Sequence, residues 1–312
     1  MKSPKIVFVL SLLILFIASV NAHAQLAGDN IPGDFGVKSG SQDPPGIYAG
    51  YLLYNYDTSK IVRNNGSELK LTNGAISAWA HIPIFSVVTP KKLLGANYGA
   101  LIIPSIANLA IEAPRVGLQS GSGYGAGDLY MQPVNLGWQT KHADVLAWYG
   151  FFAPTGEYAP GGQFNLGKGM WAHELALGST VYLNAKKTIN VSALGAYEIH
   201  TKKKDTDVKV GQMLTIEGGV GTTVKQALTF GMAYYAQWKV TEDTGLGLPP
   251  LVDDNLGKNH NFGLGPDVTM ILPLTKDLKK LAILNFRYLW ETGTQLDTQG
   301  GTAMFSVTFK VK

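Results

Sequence analysis

The amino-acid sequence predicts an all-β protein, a closed antiparallel transmembrane β-barrel of about twelve strands. Three observations lead there: period-two alternation of apolar and polar residues, connections that alternate long and short, and apolar material that is plentiful but dispersed. Apolar residues make up 46% of the chain and charged residues only 15%. A typical soluble domain carries about 25% charged residues, so this chain is under-charged for one that sits wholly in water. After the first two dozen residues no long apolar run remains, which excludes a bundle of membrane-spanning helices.

Residues 1–24 have the plan of a signal peptide. Lys2 and Lys5 precede an apolar run from Ile6 to Val20, and Ala22-His23-Ala24 presents the small-x-small pattern read by signal peptidase. The run is shorter than the roughly 20 residues a spanning helix needs, so cleavage before Gln25 is expected. Residues 25–45, rich in Gly, Pro, Asp and Ser, form an N-terminal lead that is either disordered or tucked into the barrel mouth. The barrel itself is assigned to 46–312 as one domain, because a closed sheet cannot be divided without exposing edges.

Alternation is clearest in the C-terminal half. Leu228, Phe230, Met232, Tyr234, Ala236 and Trp238 oppose Thr229, Gly231, Ala233, Tyr235, Gln237 and Lys239. Phe262 through Leu272, Ile189 through Tyr197, Ala282 through Trp290 and Ala303 through Val311 repeat the rhythm, and no 3.6-residue stripe fits them. With weaker candidates the spans are 46–56, 76–89, 97–112, 126–138, 143–154, 170–184, 187–200, 210–222, 226–240, 261–273, 280–291 and 301–311. Each is long enough for the 9–11 or so residues of a tilted spanning strand. The connections after the first, third, fifth, seventh, ninth and eleventh are long, and those at 185–186, 223–225 and 275–278 are short. Transmembrane barrels pair short periplasmic turns with longer outer loops. Trp171, Tyr197, Trp238 and Trp290 fall on apolar faces beside long loops, where an interfacial aromatic girdle belongs.

The chemistry of an enzyme is hard to assemble from this chain. Gly121-Ser-Gly123-Tyr-Gly-Ala126 fits a dinucleotide fingerprint by letter, but a strand-like segment follows it where a helix is required. His173-Glu174 opens a zinc-protease motif that no second His completes. Asp205 and Asp207 stand beside Lys202-Lys203-Lys204 without the other ligands of a calcium loop, and Asn65-Gly66-Ser67 reads as a turn. No cofactor and no metal are predicted, and a mature net charge close to neutral gives no reason to expect nucleic acid. Five His in the mature chain (81, 142, 173, 200, 260) leave a lipid hydrolase on the barrel rim as the enzymatic alternative. A closed structural barrel that binds a partner through its loops is the other.

The residues opposite the apolar faces are the candidates for the lumen wall: Glu198, Glu217, Gln237, Lys239, Asp267, Asn285, Arg287 and Glu291. Buried charge is costly unless paired or hydrated, so these groups either pair across a plugged lumen or line a narrow wet path. A barrel of this size lies between the filled eight-strand type and the open porin.

Several runs resemble one family. They are Gly127-Asp128-Leu129 through Pro133 to Trp138, Pro154-Thr155-Gly156-Glu157-Tyr158, and Asn165-Leu166-Gly167-Lys168-Gly169-Met170-Trp171. Later come Tyr197-Glu198, Asp205-Thr206-Asp207, Gly211, Tyr234 to Gln237, Asp243-Thr244-Gly245 and Gly265-Pro266, with Pro44 to Tyr48 at the opening. Together they are similar to the bacterial outer-membrane proteins named for meta-pathway phenol degradation, also called a transporter family. The resemblance spans nearly the whole mature chain. It implies a Gram-negative outer-membrane barrel, a bilayer with lipopolysaccharide around it, the barrel-assembly machinery as a partner, and passage of small hydrophobic or aromatic solutes. The family's name reflects genetic neighbourhood and implies no catalysis. Two positions differ from its usual pattern: the chain closes on Phe309-Lys-Val-Lys312 where an aromatic residue is usual, and Lys203-Lys204 stand where Asn is more common.

Overall fold

A computed structural model describes residues 27–71, 75–113, 118–121, 123–160, 162, 165–245, 258–276 and 280–312. The predicted signal peptide lies outside the described residues. The main strands are β1 (Gly46–Thr58), β2 (Ala75–Leu93), β3 (Ala96–Ile103), β4 (Ile106–Ala113), β5 (Leu129–Gln139), β6 (Ala143–Ala153), β7 (Ala172–Tyr182), β8 (Ile189–His200), β9 (Met213–Val224), β10 (Leu228–Lys239), β11 (His260–Pro273), β12 (Leu281–Gln295) and β13 (Gly301–Lys310). Each pairs antiparallel with its neighbours, and β1 closes the ring by pairing β13 on one edge and β2 on the other. Consecutive β3 and β4 both pair with β2 and together make one stave, so the closed barrel has twelve.

The predicted 97–112 strand is thus real but interrupted. Pro104 has no N–H to donate to a ladder, which is why strands break or bulge at proline. The facing chain breaks beside it. Strand β3 pairs β5 as far as Ile103↔Tyr130, the pairing resumes at Ile106↔Ala126, and Gly127 N–H donates to the Ser105 carbonyl at 3.0 Å between the two. The wall is continuous here but doubly bulged.

The two ends of the barrel differ. Among the described residues, turns at 94–95, 140–142, 183–188 and 225–227 close one end; 59–71, 154–160, 165–171, 201–212, 240–245 and 258–259 lie at the other. Within 59–71, Lys60–Val62 pairs with Glu68–Lys70 on one side and with Asp297–Thr298 on the other, raising a three-stranded flap above the rim.

Burial is inverted relative to a soluble protein. Leu177, Leu175, Trp290, Leu264 and Phe286 are exposed (64%, 56%, 56%, 51% and 49%). Glu174, Glu198, Glu217, Asp267, Arg287 and Lys239 are buried. Because side chains alternate across a strand, one face of every stave is offered to hydrocarbon and the other to the interior. Closure leaves no ladder edge in the lipid, the condition a spanning sheet must meet.

Candidate functional site

The interior is occupied by the chain's own lead. Residue 46 starts β1 at the short-turn end, whereas Gly28 lies against Glu198 and Met213 near the long-loop end. The lead between them runs the length of the lumen.

Its composition explains how it is held. Polar backbone inside a barrel needs partners, and lumen carboxylates supply them. Glu198 accepts from the N–H groups of Asp29 and Asn30 at 3.0 and 3.1 Å. Glu217 accepts from Phe35 N–H at 3.1 Å, and Asp267 from Val37 N–H at 2.9 Å. Arg287 completes the clamp, donating to the Gly33 carbonyl and, at 3.0 Å, to Asp267. Further along, Gly40 N–H donates to Thr180 and Ser41 to Asp144, while the Gln42 amide donates to Asn135. Phe35 stacks on Trp148 with ring centroids 4.8 Å apart. Gly36 has φ +65°, and a Cβ there would fall 1.9 Å from an Arg287 nitrogen. The inward glycines of β9 make room as well: a Cβ on Gly219 would meet Val37 at 2.9 Å.

The remaining lumen candidates pair with the wall and rim. Gln237 donates to Thr215 at 3.0 Å, and Lys239 forms a buried ion pair with Asp243 at 2.8 Å. Asn285 donates to Asp267 and Thr269. Glu291 accepts from Tyr56, Tyr235 and the Gly300 N–H. On the outer surface, Trp171 and Trp290 are exposed, and Tyr197 and Trp238 are half-buried and flank Leu214 in one cross-strand row. Tyr197 hydroxyl donates to Gln212, and Trp238 meets Phe262 edge-on at 5.6 Å.

Beside the lead is a cavity of about 230 Å³. One wall is apolar: Leu52, Ile82, Ile84, Leu101, Ile103 and Phe152, from β1, β2, β3 and β6. The opposite wall comes from the lead, with Asp29, Asn30 and Asp34. Glu174 closes one side; it takes hydrogen bonds from Tyr130, Trp148 and Asn30. Neither Asp34 nor the apolar wall was among the residues singled out in the sequence. Glu174 was met only as half of an incomplete zinc motif, and no signal set it apart from the other alternating acids.

The cavity's upper edge is a knot of the motif residues noted above. Asp128 accepts from Gly156 N–H at 2.8 Å and Lys168 N–H at 2.7 Å, and Leu129 N–H donates to Thr155 at 3.0 Å. A Cβ on Gly156 would meet the Gly167 backbone at 2.8 Å. Three segments distant in sequence are thereby pinned over one stretch of rim. Nearby Lys203 is buried, donates to the Lys168 carbonyl at 2.7 Å and lies 5.5 Å from the Tyr158 ring. Burial first, and the Lys168 charge second, push its ammonium down to about 8.

The histidines are dispersed. His173 meets Tyr149 hydroxyl at 2.9 Å, His200 meets the Gly211 carbonyl at 2.9 Å, and His81 meets Tyr51 hydroxyl. Among the described residues no group of three or more metal-ligating side chains is placed to hold an ion.

Residues 58–307 match the family model described as "Putative MetA-pathway of phenol degradation". The chain belongs to that family. The match runs from the end of β1 into β13 and so takes in nearly the whole barrel, with the lead ahead of it. No curated protein matches in sequence. Among solved structures, this family member is similar to the COG4313 outer membrane channel from Pseudomonas putida F1, with TM-score 0.72 and 13% identity over 90% of this chain and 99% of that one. A Pseudomonas aeruginosa FadL homologue is a weaker likeness, with TM-score 0.42 and 10% identity over 93% and 97% of the two chains. So is a TodX monoaromatic hydrocarbon channel mutant, with TM-score 0.36 and 12% identity over 86% and 90%.

Proposed function

We propose that this barrel is a passive outer-membrane channel for small apolar or aromatic solutes, and that it performs no chemistry on them. The observation that carries the reading is the cavity inside the barrel, whose wall is built from inward-facing Leu, Ile and Phe. A lumen designed only to be wet has no use for that surface, because apolar area in contact with water costs about 25 cal/mol per Å². The family's name and the likeness to the COG4313 outer membrane channel support the same reading. Trp171, Tyr197, Trp238 and Trp290 serve as interfacial anchors in this reading. The bilayer, with lipopolysaccharide in its outer leaflet, is the surrounding medium, and assembly machinery inserts the barrel.

The lead narrows the lumen, so conductance is expected to be small and to depend on it. Planar-bilayer recording of the refolded mature protein should give a stable small step. Removal of residues 25–42 should enlarge that step several-fold, as expected when a plug leaves a barrel of this size. Silence from both forms would overturn the channel reading in favour of a closed structural barrel.

A further inference from the structure

We infer that the lumen cavity is a binding site for a neutral single-ring solute bearing an O–H or N–H donor, and that Asp34 selects for the donor. The inference deepens the channel reading and rests on it for its biological meaning, but binding itself is separable from flux.

The observations are these. Asp34 is exposed although Gly33 and Gly36 around it are buried, so its side chain opens onto the cavity it lines. It makes no hydrogen bond to another described residue, unlike the carboxylates of Glu198, Glu217, Asp267 and Glu174, each of which holds backbone or side-chain donors. Its role is therefore not that of the clamps beside it. It offers an acceptor to whatever occupies the cavity.

The same cavity is lined by Ile82, Ile84, Leu101 and Phe152, which give a ring an apolar surface to pack against. The volume is ample, since an apolar cavity of about 150 Å³ holds benzene. Charge decides the rest. The lining holds four carboxylates, of Asp29, Asp34, Asp128 and Glu174, against one ammonium, of Lys168. A carboxylated ring brought here would have to bury a further charge beside these carboxyl groups, and a buried charge without a partner is costly. A neutral phenol or aniline meets no such penalty and gains a hydrogen bond to the Asp34 carboxyl group. A plain hydrocarbon gains only the apolar surface.

The test is equilibrium binding of phenol, toluene and benzoate to refolded protein, with heat-modifiable migration as the check that each variant is folded. Phenol should bind tightest and benzoate weakest. Asp34→Leu should weaken phenol roughly ten-fold while leaving toluene unchanged or improved. Asp34→Asn, which keeps an acceptor, should retain phenol, and benzoate should stay weakest because Asp29, Asp128 and Glu174 remain in the lining. Equal affinity for phenol and toluene in the unaltered protein, or benzoate binding as tight as phenol, would overturn the proposal. Conductance of the same samples separates the two readings. Selective binding without a conductance step supports this site and removes the channel; a conductance step with no selective binding keeps the channel and removes this site.

Discussion

Arg287 is held from two sides in the lumen. It is buried, it bridges the β11 carboxylate of Asp267 to the Gly33 carbonyl of the lead, and its neighbour Gly36 has no space for a side chain. Removing one partner of a buried ion pair typically costs about 3–5 kcal/mol, because the other charge is left behind. Arg287→Met should therefore lower the urea midpoint of the refolded barrel and free the lead, seen as a larger conductance step. Gly36→Ala should give the conductance change with a smaller stability loss, since φ of +65° and the 1.9 Å approach displace only the lead. Lys203 has a pH signature of its own. Its folded pKa, about 8, lies below its ordinary value. Between the two values the unfolded chain holds more protons than the folded one, so stability rises with pH across that window. Below about 8 the cost of charging the buried amine is fully present. Thermal melts at pH 7 and 9.5 should show this gain, and Lys203→Met should abolish it.

Among the elements, the strands were legible and the lead was not. All twelve predicted spans correspond to staves, and β8, β10, β11, β12 and β13 announce themselves because polar residues such as Glu198, Lys239, Asp267, Arg287 and Thr302 alternate with outward apolar ones. Strands β1 to β3 gave a fainter rhythm for a physical reason: Leu52, Ile82, Ile84, Leu101 and Ile103 face inward, so both faces are apolar and period-two contrast fades. The weakest part of the signal was thus the part that walls the cavity. The interruption at Pro104 and Ser105 was also invisible, because a single proline in a long alternating run does not say which ladder bond it breaks. The lead's Gly, Pro and Asp content suits a disordered tail as well as a threaded plug. What decides between them is the row of carboxylates facing its amides, and that row exists only once the barrel has closed. Replacing residues 28–37 by an equal length of Gly and Ser should leave the barrel folded in gel assays. It should also loosen the plug, read as noisier and larger conductance.

The molecule as a whole is a greasy cylinder with an electrostatically knotted interior. Its outer belt makes a prediction that concerns the membrane and not the lumen. Leu177 is 64% exposed near the middle of β7. An Arg at the bilayer midplane of such a barrel costs about 2–4 kcal/mol. Leu177→Arg should destabilise the protein by that order in liposome-based unfolding, whereas an exposed apolar residue of a water-soluble protein would tolerate the change. Glu217 and Asp267 offer the complementary test, because exchanging either for Leu strips the plug of an anchor and leaves the lipid face untouched. The same inversion of burial explains how a chain with so few charges stays specified. Its buried charges, among them Glu198, Glu217, Asp267 and Arg287, meet one another or the lead.

The lead's path also fixes where labels can go. A sheet with an even number of up-and-down staves would leave both ends of the polypeptide on the periplasmic side. Here the traverse from Gly46 up to Gly28 carries the lead to the opposite mouth. An epitope placed ahead of residue 27 should be reachable by antibody on intact cells, while one appended after Lys312 should stay hidden until the envelope is opened.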